Sequence, residues 1–588
     1  MKATRTALLA IAAVLFGAVP VTAQFENVGS IEFPTSATGE AQQHFLRGVA
    51  ILHSFGWKQA RDEFHAAQAI DPDFAMAYWA ESLAYDHPLV SDMDPTLPRQ
   101  ALERLAPTPE ERLAKAPTPR EQGFLSAVEA LWGEGDHVTR RLNYMMEMES
   151  LYRRYPNDPE VSAFYALSML SAAAAVRSGD APAPAPMPMP AEETTGAEDQ
   201  GQDMHDMQTT AEPPVRRPLA SGEELAQRLN IRAGAIAQHL FTLNPNHPGA
   251  PHYMIHAFDD PLHAPLALDA AYRFADIAPA VSHARHMPTH IFIQLGMWDL
   301  VSANNQSAYD AAKDIWEPGD ADDMSAAVHA LDWGQYGDLQ LGDYDKAAVW
   351  IRRLEVMADE GGFWGRRERG EPGFPRAVNT LPLLRARLVV ESEHWAVEPV
   401  TTETSPHELL ATALSAYHLG DAEALAQAEA ELARRPGSTN EIMHLEAAAL
   451  MHASMGHADV AIQFMDRAQA ADEALPPPRG AASPIKPVHE LYGELLMDLD
   501  RPAEAVEKFQ ASLLRMPNRP RSLLGLGRAY VAMGTPMLAG DAYETIAELW
   551  AGREDLPGML EAREFWRMHL TGRAHSMMDP MAAGRLGM

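Results

Sequence analysis

The 588-residue sequence contains no cysteine. This absence excludes disulfide bonds, thiolate metal sites, cysteine nucleophiles and a lipid-bearing N-terminal cysteine. Any bound metal ion must therefore use histidine, methionine or carboxylate side chains. Basic residues are also scarce, because 47 Lys and Arg face 81 Asp and Glu, which leaves a formal net charge of −34. A surface this acidic repels nucleic acid and anionic lipid, while it attracts cations and favours solubility.

Familiar catalytic signatures are missing as well. The sequence has no G-x-S-x-G nucleophile elbow and no phosphate-binding G-x-x-x-x-G-K-[ST] loop. His252 and His256 have the spacing of a zinc-protease motif, but Tyr253 stands where that motif needs a glutamate as general base. No run of alternating β-branched residues is long enough to predict a sheet. These absences leave open whether the protein is an enzyme.

The N-terminus has the composition of a secretory signal peptide. Its sequence, MKATRTALLAIAAVLFGAVPVTAQ, combines a basic start, a short apolar run and a small-residue cleavage site. Residues 1–23 are therefore predicted to be removed, so that the mature chain begins at Gln24. No later stretch is long and apolar enough to predict a membrane span. We expect export to a bacterial periplasm.

Small and aromatic residues recur at a spacing that is typical of helical hairpins. The first copy contains Gly48, Ala60, Phe64, Ala67 and Pro72, and a later copy contains Gly493, Ala505, Phe509 and Pro517. Gly527 opens another copy 34 residues after Gly493, and weaker copies surround Gly342, Gly420 and Gly456. Each hairpin of this kind buries its apolar face only against its neighbours. The spacing predicts an all-α superhelical array of tetratricopeptide-like (TPR-like) helix-turn-helix repeats.

Composition predicts how this array is divided. Residues 181–214 are rich in proline, alanine and acid, cannot build a core, and are predicted to be a disordered linker. N-terminal TPR-like helices are expected over residues 24–180, a central histidine-rich TPR-like module over 215–345, and C-terminal TPR repeats over 346–588.

The linker also contains side chains that bind soft metals. Met204, His205 and Met207 offer two thioethers and an imidazole, which suit copper(I). A low-complexity linker in a chain with 30 methionines explains the same composition without a metal. Both interpretations stay open.

Histidine is concentrated in the central module. Seven of the 24 histidines lie within 44 residues, at positions 247, 252, 256, 263, 283, 286 and 290. His252 and His256 are four residues apart, and His283 and His286 are three apart, so each pair shares one face of a helix. Pro288 interrupts the second helix before His290. Since neutral imidazole binds copper and zinc, His252, His256, His286 and His290 are predicted to converge on one transition-metal site.

Neighbouring residues have predicted supporting roles. His283 is added to the candidate ligands, and Asp259 or Asp260 is expected to hold an imidazole N–H. His239, His247 and His263 are assigned to loops or helix caps. The alternative is that these histidines line a polar groove between helices and bind no metal.

Four segments resemble a known family. They are WAESLAYDHPLV, PHYMIHAFDDPLHAPLALDAA, HARHMPTHIFIQLGMW and KPVHELYGELLMDLDRPAEA, and together they are similar to exported bacterial tetratricopeptide-repeat proteins with a histidine-rich central segment. The resemblance extends over nearly the whole mature chain. The family pattern has histidine at the positions of His87, His252, His256, His286, His290 and His489. The chain departs at Val90, where the family often has an aromatic residue. The resemblance assigns no reaction.

The sequence thus favours a periplasmic protein whose histidine-rich groove binds copper or zinc and accepts a ligand or partner. Two alternatives remain: a metal-free scaffold that binds a peptide or protein on its concave face, and a metal-dependent enzyme with a histidine-only site. An enzyme should leave an open coordination position beside a closed pocket, whereas a scaffold should have a long open groove.

Overall fold

The structure is a computed structural model, which describes residues 27–89, 94–178, 222–315, 321–358 and 375–569. These residues form helices and connecting turns, and no strand occurs among them. The predicted all-α array is therefore confirmed. The predicted signal peptide lies outside the described residues, and so does the 181–214 segment with Met204, His205 and Met207.

Most of the described helices pack against the helix that follows them in the chain. The first group is α1 (Gly39–His53), α2 (Trp57–Ile70), α3 (Ala75–Leu83), α4 (Thr96–Leu105), α5 (Pro109–Lys115), α6 (Pro119–Leu131), α7 (His137–Arg154) and α8 (Pro159–Ser178). The middle group is α9 (Gly222–Leu243), α10 (Gly249–Ala257), a 3₁₀ turn (Ala264–Ala267), α11 (Leu268–Ile277), α12 (Ser282–His286), α13 (Pro288–Gln294), α14 (Trp298–Ile315), α15 (Ala321–Gln340), α16 (Tyr344–Ala358) and α17 (Pro375–Ser392). The last group is α18 (Pro406–Leu419), α19 (Ala422–Leu432), α20 (Ser438–Ser454), α21 (Ala458–Glu473), α22 (Val488–Asp498), α23 (Pro502–Arg515), α24 (Pro520–Ala532), α25 (Pro536–Leu549) and α26 (Pro557–His569).

A glycine on one helix and an aromatic ring on the next set the close approach within a hairpin. A Cβ atom on Gly48 would lie 2.4 Å from the Phe64 ring, and one on Gly493 would lie 2.7 Å from the Phe509 ring. Gly334 meets Trp350 in the same way, at 2.7 Å. Because no larger residue fits under these rings, the recurrent glycine fixes the distance between the two helices.

The weaker copies keep a different glycine. Gly342, Gly420 and Gly456 have φ angles of +70°, +74° and +78° and lie in the turns between paired helices. Left-handed backbone is easy only for glycine, so these residues end one helix and start the return. The repeat signal in these copies therefore comes from the turn and not from the packed helix face.

The C-terminal repeats fold back onto the central helices. The Trp298 indole N–H donates to the Asn518 carbonyl at 2.8 Å, and the Trp550 indole N–H donates to the Gln340 carbonyl at 2.9 Å. The loop before α22 packs on α15, where a Cβ atom on Gly480 would lie 2.4 Å from Trp333. This loop therefore covers part of the surface that carries the histidines.

One described helix is long and apolar enough to cross a membrane by composition alone, contrary to the sequence analysis. It is α8, and 83% of its most apolar window is buried inside the protein. The largest apolar core includes α8 residues such as Phe164 together with Ala226 of α9 and Ile255 of α10. The burial of α8 is that of a core helix. The predicted domain boundaries stay a prediction.

Candidate metal centre

Four helices bring six histidines to one place. Helix α10 carries His252 and His256 one turn apart, α12 carries His283 and His286, α13 carries His290, and α15 carries His329. The imidazoles fall into two neighbouring groups of three, each with its ligand atoms within 4.8 Å of one another. The first group is His252, His256 and His283, and the second group is His286, His290 and His329.

The first group surrounds the Nε2 atom of His252. This atom lies 3.0 Å from Nε2 of His256 and 3.2 Å from Nε2 of His283. On the other side of the ring, Nδ1 of His252 donates to the backbone carbonyl of His53 at 2.6 Å. The proton on Nδ1 leaves a lone pair on Nε2, directed at the other two rings.

The second group is oriented by two side chains. Nδ1 of His290 donates to Asp259 at 2.8 Å, and Nδ1 of His286 donates to Oδ1 of Asn305 at 2.7 Å. The Asn305 amide is itself fixed, because its NH₂ group donates to the Val301 carbonyl at 2.8 Å. His286 therefore meets an oxygen and carries its proton on Nδ1.

His286 and His290 consequently face each other with their Nε2 atoms, 3.3 Å apart. Two lone pairs repel each other unless a proton or a metal ion lies between them. In a tetrahedral complex with metal–nitrogen bonds of about 2.0–2.1 Å, ligand nitrogens lie about 3.3 Å apart. The spacing of the two rings therefore fits a shared metal ion, and it also fits a hydrogen bond with a proton between the two nitrogens. His329 lies beside them, with its ring centroid 4.3 Å from that of His286.

Burial keeps five of the six imidazoles neutral. Desolvation lowers the pKa of His252 to about 3 and that of His286 to about 3. It also lowers the pKa of His256, His283 and His329 well below the ordinary value. A neutral imidazole is the form that binds a metal ion.

The two groups are adjacent and open onto one cavity of about 530 Å³. The ring centroids of His256 and His290, one from each group, are 5.7 Å apart. His256, His283, His290 and His329 line the cavity. His252 and His286 are almost fully buried and form the back of the two groups. A ligand in the cavity would therefore reach both groups from the same side.

Aromatic and basic side chains complete the cavity wall. Phe55 and Trp57 stack with ring centroids 4.5 Å apart, and His87 stacks on Trp57 at 5.1 Å. Trp333 lies against His290, with centroids 4.4 Å apart. Lys58, Arg177, Arg376 and Arg479 also line the wall.

The structure separates the histidines that the sequence analysis treated together. His252 and His256 lie in the first group, whereas His286 and His290 lie in the second. His283, added as a further ligand, lies in the first group. The predicted single four-histidine site thus corresponds to two three-histidine groups in one cavity.

The remaining predicted residues have other positions. His87 lines the cavity on the aromatic side. His489 lies elsewhere, on α22, where its Nε2 is 3.0 Å from a Glu473 oxygen. His263 pairs with Asp260 at 2.8 Å, so of the two predicted supporting carboxylates only Asp259 holds a histidine of the two groups.

A buried hydrogen-bond network lies at the start of α10. His247 accepts the N–H groups of Gly249 and Ala250 at its Nδ1 and lies 3.1 Å from Glu160 at its Nε2. His53 bonds to the same carboxylate at 2.8 Å and to the Tyr253 hydroxyl at 2.7 Å. Burial would raise the pKa of Glu160, but the adjacent imidazoles bring it to about 2. The network fixes the helix start and the His53 carbonyl that orients His252.

Several residues of the centre could not be recognised from the sequence. His329 is a lone histidine on α15, without a partner at helical spacing, so no local pattern identifies it. Asn305, which orients His286, has no distinguishing sequence context. Arg376 and Arg479 reach the cavity from distant repeats and become neighbours of the histidines only because the chain folds back.

No protein-family model matches the chain, and no curated protein matches it in sequence. Solved structures that align with it include yeast Tom70, with 12% identity over 92% of this chain and 98% of that chain and a TM-score of 0.26. The TPR domain of P58(IPK) has 11% identity over 91% and 100% of the two chains and a TM-score of 0.20. A monomeric IFIT1 mutant has 11% identity over 87% and 95% and a TM-score of 0.31. Superpositions this poor carry no argument, so the fold class rests on the helices described above.

Proposed function

We propose that this protein binds transition-metal ions, copper or zinc, in the histidine-lined cavity, with one ion in each three-histidine group. The observation that carries the proposal is the pair of Nε2 atoms on His286 and His290, which face each other at 3.3 Å while their Nδ1 atoms are committed to Asn305 and Asp259. A metal ion satisfies both lone pairs at once.

The surroundings of the two groups support this proposal. A histidine that binds a metal usually donates its other ring N–H to a carboxylate, a carbonyl or an amide oxygen. His290 has Asp259, His286 has Asn305, and His252 has the His53 carbonyl in this role. Such partners hold the rings in place before the ion arrives, so little ordering entropy opposes binding.

The number of ligands favours a second candidate function, a metal-dependent enzyme. Each group offers three imidazoles rather than four. Three protein ligands are typical of catalytic sites, which keep a position for water or substrate, whereas structural zinc sites are closed by four. The cavity lies beside that open position.

Metal analysis of the protein, purified without an affinity tag, tests the proposal. After dialysis against zinc or copper(II) and removal of free metal, we expect two ions per chain. His252→Ala combined with His256→Ala should remove the first ion, and His286→Ala combined with His290→Ala the second. Helical circular dichroism should persist in both variants.

A matched control distinguishes this site from loose binding to surface histidines. His239 is exposed on α9 and lies outside the cavity. His239→Ala should retain both ions. Equal metal content in all variants, or no metal in the wild type, would favour a metal-free scaffold that binds a peptide or protein.

We also propose export to the periplasm, on the basis of the N-terminal sequence. Export, with removal of residues 1–23, would place the mature protein in a compartment without the cytosolic thiol pool. Histidine sites there bind copper and zinc without competition from those thiols. N-terminal sequencing of protein from the native host should begin at Gln24. A mature protein that starts at Met1 would rule this out.

A further inference from the structure

The cavity wall is positively charged although the chain is strongly acidic. Its described lining contains Lys58, Arg177, Arg376 and Arg479 but a single carboxylate, Asp259. The whole chain, in contrast, has a formal net charge of −34. A concave surface lined by one sign of charge attracts ligands of the opposite sign.

Two of these four cations lack a carboxylate partner. Arg177 pairs with Glu223 at 2.9 Å, and Lys58 pairs with Asp62 at 3.3 Å. Arg376 donates to the Ser325 hydroxyl, and neither Arg376 nor Arg479 forms an ion pair within the described ranges. Asp259 is already occupied by His290. Neither guanidinium group is therefore held in a direct ion pair. Carboxylates act on them from further away, and two of these, Asp332 near Arg376 and Asp259 near Arg479, already bond to Arg387 and His290.

Both arginines are held beside the second histidine group. Arg376 contacts Ser325, which lies one turn before His329 on α15. Arg479 lies between two anchored residues: the Pro478 carbonyl accepts from the Gln294 amide at 3.0 Å, and Gly480 packs against Trp333. The Ser325 contact holds the Arg376 guanidinium, and the neighbours of Arg479 fix its backbone. Arg376 acts electrostatically on His286 and His329, and Arg479 acts on His256, so both guanidinium groups lie near cavity histidines.

Metal binding would increase the positive charge further. Imidazole ligands carry no negative charge that would compensate bound divalent ions. A site with unbalanced positive charge in a low-dielectric cavity needs an anion. Carboxylate oxygens bind both to guanidinium groups, in a fork geometry, and to the open position of a metal ion.

The opposite wall suits an apolar group. Phe55 and Trp57 present a stacked aromatic surface, with an interplanar angle of 21°. The volume of about 530 Å³ lies within the range of about 300–1,000 Å³ that is common for small-molecule sites. The cavity is thus larger than an inorganic anion requires.

We propose that the cavity binds a small organic carboxylate, with its anionic end at Arg376 and Arg479 beside the metal ions and its apolar part on Phe55 and Trp57. This inference rests on the proposed metal site, but the arginines allow it to be tested separately.

The test is calorimetric titration of the zinc-loaded, full-length protein with benzoate, phenylacetate and hexanoate. The neutral amides of the same acids serve as matched probes that lack the charge. We expect at least one carboxylate to bind, its amide to bind at least tenfold more weakly, and the Arg376→Gln, Arg479→Gln double variant to lose at least tenfold in affinity. Arg228→Gln, at an exposed arginine on α9, should bind as the wild type does.

Zinc content is measured in every sample, so that the two proposals fail differently. A wild type without zinc contradicts the metal site, whereas the arginine variants still decide the carboxylate site in the same titrations. Equal affinity of wild type and double variant for every acid would overturn the carboxylate proposal. Binding of the amides as tightly as the acids, or of inorganic phosphate alone, would overturn it as well.

Discussion

The central cavity and the junction of the C-terminal repeats with the central helices both bury polar side chains. The two regions differ in how the hydrogen bonds of these side chains are satisfied. At the junction, Arg519 donates to Glu490 at 2.7 Å and to the Tyr336 hydroxyl at 3.0 Å, and Ser522 donates to Glu490 at 2.6 Å. Lys486 adds a further bond to Glu490 at 3.0 Å. These three donors satisfy Glu490 from within the chain, whereas one oxygen of the nearby Glu391 has only an ion-pair contact with Arg519.

In the cavity, by contrast, only one of the two ring nitrogens of His286, and of His290, bonds to a protein group of this kind. His286 and His290 are satisfied at Nδ1 but leave their Nε2 atoms facing each other. A network that the chain completes serves stability and specificity. A pair of facing lone pairs needs a proton or a metal ion between them. The comparison therefore distinguishes a structural cluster from the proposed binding site inside one fold.

The largest expected effect is on the cavity side. His286→Ala combined with His290→Ala should abolish metal binding to the second group, because both facing nitrogens are lost. In chelator the same variant should lose some stability, because the bonds to Asn305 and Asp259 are lost with the rings. Zinc should raise the denaturant midpoint of the variant less than that of the wild type, because the variant has lost one of two sites. Denaturant unfolding with and without zinc measures both effects. An equal rise of both midpoints with zinc would show that these histidines bind no metal.

The junction should behave in the opposite way. Arg519→Ala leaves Glu490 buried without its main cation, and breaking such a pair costs about 3–5 kcal/mol. Denaturant unfolding of the metal-free protein should show this loss, while zinc content at saturation stays unchanged in the folded variant. Loss of zinc together with a small change in stability would erase the distinction between the two regions.

Acid should weaken the junction as well. Burial would raise the pKa of Glu490, but Arg519 and Lys486 lower it far below its ordinary value of 4.5. A group with a lowered folded pKa contributes stability above its unfolded pKa and loses it as pH falls toward the folded value. The unfolding free energy of the wild type should therefore fall below pH 4.5 more steeply than that of Glu490→Gln. Parallel pH profiles of the two proteins would contradict this assignment.

A smaller effect is expected from the support of the cavity. Asp259→Asn keeps the size of the side chain but removes the charge that orients His290. Loss of such a partner typically weakens metal binding by about 10–100-fold. Competition with a zinc-binding dye measures the affinity, and Asp260→Asn, at the neighbouring carboxylate that holds His263, serves as the control. Equal affinities of the two variants would show that Asp259 plays no orienting role.

Much of the fold followed from the sequence because its determinants are local. The spacing of Gly48 and Phe64, repeated at Gly493 and Phe509, reflects the contact of two adjacent helices. A hairpin of this kind is encoded within about 34 residues. The sequence did not predict that Gly342 and Gly420 lie in turns, because a glycine in a turn and a glycine at a helix contact look alike in sequence.

Only part of the candidate site could be predicted from the sequence, because its residues come from distant segments. Helical spacing paired His252 with His256. It could not show that His283 joins this pair, nor that His286 and His290 form a second group with His329. Arg479 reaches the cavity only because the loop before α22 packs on Trp333. Long-range contacts of this kind depend on the curvature of the whole array, which no single repeat encodes.

X-ray absorption spectroscopy of the zinc-loaded wild type tests the central claim most directly. The account predicts two zinc ions per chain, each with about three imidazoles and one or more oxygen ligands, at metal–nitrogen distances of about 2.0–2.1 Å. Imidazole rings are recognised by their outer-shell scattering. Zinc with a shell of oxygen alone, or no retained zinc after removal of the free metal, would contradict the claim that the cavity histidines bind a metal ion.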